Sequence, residues 1–89
     1  MVQPKNLSLK QNTVLSYKRF FDSPDGERIL YDLIKSSRML HTTHDDNPHV
    51  AAFNEGRRAL VCQIITTAGM DERKYIDFLA NMQKLERNV

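Results

Sequence analysis

The chain of 89 residues contains no tryptophan, one cysteine, three glycines and three prolines. The lone Cys62 excludes an intramolecular disulfide framework and suits a reducing compartment. No apolar run approaches the roughly 18 residues of a membrane-spanning helix, and no basic-then-apolar leader opens the sequence. The expectation is a protein without membrane partners, made in the cytoplasm and used there or assembled there into something larger. Charge of one sign is scarce too: 13 Lys and Arg stand against 11 Asp and Glu, interleaved along the chain. A dedicated nucleic-acid binder carries a basic stripe. Here the longest basic excess is Lys5, Lys10, Lys18 and Arg19 ahead of Asp22, which leaves nucleic-acid binding open but not favoured. Also missing are a phosphate-binding glycine loop, a paired-carboxylate site and a nucleophile with its base. No enzyme activity and no cofactor are expected.

What the sequence does contain is helix grammar. A hydrophobic fraction of 40% is too high for a disordered chain, and 89 residues make one domain at the small end of what folds alone. Residues 1–8, with Pro4, read as a flexible arm. From about Lys10, Val14, Tyr17 and Phe21 recur at helical spacing, with Phe20 beside them. The pattern stops at Asp22-Ser23-Pro24-Asp25-Gly26. There Ser23 suits an N-cap, Pro24 the first helical position, and Asp25 and Glu27 the positive helix end. A second helix is predicted from Pro24 to about Ser37, with Ile29, Leu30, Leu33 and Ile34 inward; Gly26 in its first turn weakens it slightly. Asn47-Pro48 opens a third helix to about Ala68, with Val50, Phe53, Leu60, Val61, Ile64 and Ile65 on one arc. Gly69 suits a C-terminal cap and Asp71 the N-cap of a fourth helix, striped by Tyr75, Phe78, Leu79, Met82 and Leu85. The fold class is therefore all-α, a small bundle of about four helices in a single domain over 1–89.

Three features bear on chemistry. His41, His44 and His49, with Asp45 and Asp46, have metal-ligand character, but they sit on a connector and read as a solvated loop, so no metal site is expected. Cys62 falls off the apolar arc, mid-helix and without a base, so it reads as structural. Arg57 stands four residues from both Phe53 and Val61, where a leucine would fit. A charge placed there needs partners. The candidates are Asp25, Glu27, Asp45, Asp46 or helix-end carbonyls, a structural role favoured over one reaching out to a partner subunit or phosphate. Gly56 beside it suggests close approach by another backbone, and Arg58 an exposed contact. The aromatic residues read as core, except that adjacent Phe20 and Phe21 cannot both point inward, which leaves one for a partner.

The run Tyr17-Lys-Arg-Phe20-Phe21-Asp-Ser-Pro24-Asp25-Gly26-Glu-Arg-Ile-Leu30-Tyr-Asp32-Leu33, then Asp46-Asn-Pro48 and Ala52-Phe53-Asn-Glu55-Gly56-Arg57-Arg58, resembles a family of short tailed-bacteriophage proteins. The pattern is an aromatic pair, a Pro-Asp/Glu-Gly helix start and a Glu-Gly-x-Arg helix. It covers about residues 17 to 65, with Gly26, Asp32, Glu55, Gly56 and Arg57 at the matching positions. Such proteins are encoded in the virion-structure gene cluster, often beside the portal and scaffold genes. The resemblance implies a structural or assembly component, in the host cytoplasm during assembly and then in the virion. Its partners would be portal, head or tail subunits, met in multiple copies around a ring. The alternatives are a nucleic-acid-binding regulator using Lys10, Lys18, Arg19 and Arg58, and a small protein targeting a host factor.

Overall fold

Each helix begins where a short polar side chain can take up the free N–H groups of a first turn. The computed structural model describes residues 7–40 and 43–88 and contains, among them, helices and no strand. They are α1 (Leu9–Phe21), α2 (Pro24–Ser36), α3 (Pro48–Thr67) and α4 (Glu72–Arg87). Ser23 accepts from the Gly26 N–H, Asn47 from the N–H groups of His49 and Val50, and Asp71 from the Lys74 N–H. Ser8, assigned from sequence to the arm, caps α1 in a reciprocal box with Gln11. Residues 1–6 of that arm, and His41, lie outside the described residues.

Two helix ends close in the left-handed conformation. Gly69 adopts φ +86° after α3, and the Met70 N–H donates to the Ile65 carbonyl. Arg38 adopts φ 62° after α2, and the Met39 N–H donates to the Ile34 carbonyl. Glycine takes this conformation freely and arginine at a steric cost.

The core is small. Leu30 and Ile34 of α2 are fully buried, joined by Tyr31, by Val61 and Ile65 of α3 and by Phe78 of α4. Phe21, Leu33, Ile64, Tyr75, Leu79 and Met82 pack around them half-buried. Several residues expected inside stand out in solvent instead. Ile29 is exposed, because it sits roughly 100° around α2 from Leu30; Tyr31 takes the buried place on the other side. Leu85 is exposed in the last turn of α4. On α3, Val61 and Ile65 are buried and Ile64 half-buried, but Val50, Phe53 and Leu60 face solvent. The apolar arc of α3 is wider than the strip its neighbours cover.

At the corner between α1 and α2 the backbones touch. A Cβ on Gly26 would lie 2.5 Å from the Phe20 carbonyl carbon and 2.7 Å from the Phe21 Cα. The glycine that costs the helix some stability is thus the residue that lets the corner close. At Gly56, where close approach was expected, no other element among the described residues comes within 4 Å of a Cβ position.

Candidate interaction surface

The sequence-selected residues fall into two groups, and no hydrogen bond, ion pair or ring contact joins the groups among the described residues. The first lies at the α1–α2 corner. Phe21 turns into the core and Phe20 is 44% exposed, its ring edge-on to Phe21 at 5.0 Å. Asp25 is exposed and pairs with Arg28 one turn on; Asp32 is exposed; Gly26 is buried. Gly26 and Phe21 are therefore structural, and Phe20 is the outward aromatic of the pair.

The second group lies on α3. Glu55 is exposed and accepts a hydrogen bond from the Thr43 hydroxyl of the connector. Arg58 is exposed near Tyr75, whose hydroxyl is raised above its usual pKa first by burial and then by Cys62, with Arg58 opposing. Arg57 is half-buried and touches none of the acids proposed for it. One guanidinium nitrogen donates to Asn54 Oδ1 at 2.9 Å, and the guanidinium carbon stands 4.8 Å from the centre of the Phe53 ring. Asn54 is 97% buried, and its Nδ2, like Nε of Arg57, has no hydrogen-bond partner among the described residues. Such donors are uncommon in folded chains.

Around this pair lies the most exposed apolar strip of α3. Phe53 is 63% exposed and Leu60 59%. With Val50 they span about 80° of arc at roughly 100° per residue. Glu55 and Arg58 lie about 140–160° round from Phe53, on the far side of the helix. Sequence reading placed Phe53 and Leu60 in the core and passed over Asn54. A buried polar side chain beside a half-buried arginine marks the edge of the covered strip, and in sequence the only trace of it is a polar residue interrupting the arc.

Elsewhere, His44 and His49 are exposed, and no three metal-ligating side chains converge among the described residues. Cys62 is half-buried, its thiol 3.5 Å from the Met39 sulfur. None of the described helices is long and apolar enough to cross a membrane.

The model of one protein family, the Bbp19-like phage proteins, matches residues 17–84. The chain belongs to this family. The match begins where the resemblance at Tyr17 does but runs on past residue 65 through most of α4, so the family unit includes all of α2 and α3 and the core contributions of α4. No curated protein and no solved structure matches the chain.

Proposed function

We propose that this chain is a structural or assembly component of the phage virion, a small helical adaptor that binds portal, head or tail subunits and acts by binding and not by catalysis. It is present in the host cytoplasm during assembly, then in the particle, in several copies around a ring. The observation that carries this reading is the exposed apolar face of α3 with Arg57 at its edge, in a chain that belongs to a phage protein family. Contiguous exposed apolar side chains on a small domain mark a protein contact. The core is also minimal, as in chains whose burial is completed by a partner. Repeated copies around a ring would use heterologous contacts, one face meeting a different one.

Mass spectrometry of purified particles tests this, with copy number referred to the portal. The expected outcome is the chain in the particle, at a multiple of a ring's symmetry. Its absence from particles, together with no association with capsid, portal or tail proteins during assembly, would refute the reading.

A further inference from the structure

We infer that the Val50–Phe53–Leu60 face of α3 docks a helix of another protein, one that carries a carboxylate among apolar side chains, and that Arg57 pairs with that carboxylate. The inference rests on the reading that this chain works through protein contacts, and it names the chemistry of the partner.

The shape of the face points to a helix. Val50 to Leu60 runs about 15 Å along α3, roughly three turns, with its apolar side chains at the spacings that helix-in-groove recognition uses. Between Phe53 and Leu60 lies Gly56, with open space above it. This leaves a notch into which a side chain from a crossing helix can enter.

The charge of the face specifies the occupant further. Arg57 is the one formally charged side chain that α3 itself places on the Val50–Leu60 arc; Glu55 and Arg58 lie about 140–160° round from Phe53. Its guanidinium makes one hydrogen bond, to the neutral amide of Asn54, rests against Phe53 and forms no ion pair among the described residues. Covering this face with a purely apolar partner would strip water from a cation and leave its remaining N–H groups without acceptors, which is strongly unfavourable. A carboxylate accepts from those groups in a planar two-pronged pair. The same reasoning argues against a second copy of this face. An antiparallel pairing that sets Phe53 against Leu60 has its two-fold axis between residues 56 and 57. Arg57 would then stand opposite Gly56 with the two arginines side by side next to the axis, and the Val50–Leu60 arc of α3 has no carboxylate to offer.

The test replaces Phe53 with photo-reactive benzoylphenylalanine in a phage-encoded chain and cross-links in infected cells. We expect a cross-link to a different protein, in a segment where Asp or Glu lies among apolar residues at helical spacing. The yield should fall at least tenfold with Arg57→Gln, and should return when Arg57→Glu is combined with Arg at the captured acid. A cross-link to a second copy, to nucleic acid or to a segment without an acid would overturn the inference. So would one insensitive to Arg57→Gln, or none from a chain whose circular dichroism shows it folded. Capture of a host protein, with the chain missing from particles, would retain this inference and reject the virion reading. A chain present in particles without such a cross-link would do the opposite.

Discussion

Gly26 and Gly56 both stand in helices, where glycine costs about 1 kcal/mol relative to alanine, yet their surroundings are opposite. At Gly26 a methyl group would enter the backbone of Phe20 and Phe21, and backbone cannot move aside by changing a rotamer. Gly26→Ala is expected to destabilise the fold by about 3 kcal/mol, the upper part of the range for overpacking. Thermal denaturation reads this directly, and unchanged stability would show that the corner is not held as described. At Gly56 the added methyl meets no other element among the described residues, so Gly56→Ala is expected to raise stability by about 1 kcal/mol. For a domain of this size that corresponds to a melting temperature several degrees higher. If a helix docks on this face, the same substitution should weaken that association while stabilising the free chain.

Among the helices, α4 is tied to α2 by a polar clasp. Glu86 accepts a hydrogen bond from the Tyr31 hydroxyl at 3.0 Å and another from Lys35 Nζ at 2.6 Å, while Lys35 lies 4.6 Å over the Tyr31 ring. The Lys35 hydrogen bond, then that of Tyr31, holds the Glu86 carboxyl below its ordinary 4.5. The clasp's stabilisation is therefore present above pH 4.5 and lost as pH falls through the folded value. At the alkaline end Tyr31 is raised above 10.0, first by burial and then by Glu86, and Lys35 above 10.5 by its hydrogen bond to Glu86. These contributions hold below those values and fade as pH rises through the folded ones. Lys35 and Glu86 are about half exposed, so salt screens the pair and the effect is modest. In denaturation curves taken at a series of pH values, Glu86→Gln should be less stable than the parent chain near neutrality. The gap should close as pH drops below 4.5; a gap independent of pH would rule out the clasp as the cause.

Taken whole, the molecule is elongated, 51 × 35 × 20 Å, with a radius of gyration of 15.4 Å. A compact chain of this length has about 12 Å. Among the described residues the largest fully buried side chains are Leu30 and Ile34, both on α2, while ten large apolar residues stand exposed, from Leu9 on α1 to Leu85 on α4. Such a chain has more apolar surface than it can cover alone, which is the physical basis for proposing a ring-bound adaptor and for the particle measurement that tests the proposal.

Local physics wrote the helices into the sequence. Ser23-Pro24, Asn47-Pro48, Gly69 and Asp71 place caps and breaks within a residue or two of where they occur, because an N-cap is an interaction between residues two or three apart. The resemblance to phage proteins was also legible, since motif order is a property of the chain itself, although it was seen only as far as residue 65. Which side of each helix is covered was decided only in three dimensions. A helical wheel marks Val50, Phe53, Leu60, Val61 and Ile65 alike as apolar, and the strip that α1, α2 and α4 can reach is narrower than that arc. The same narrowness put Asn54 inside, left Arg57 at the boundary on the Phe53 ring, and made Gly26, not Gly56, the point where two backbones meet. Side-chain periodicity says what could be buried; how many neighbours a short chain can bring to each helix says what is.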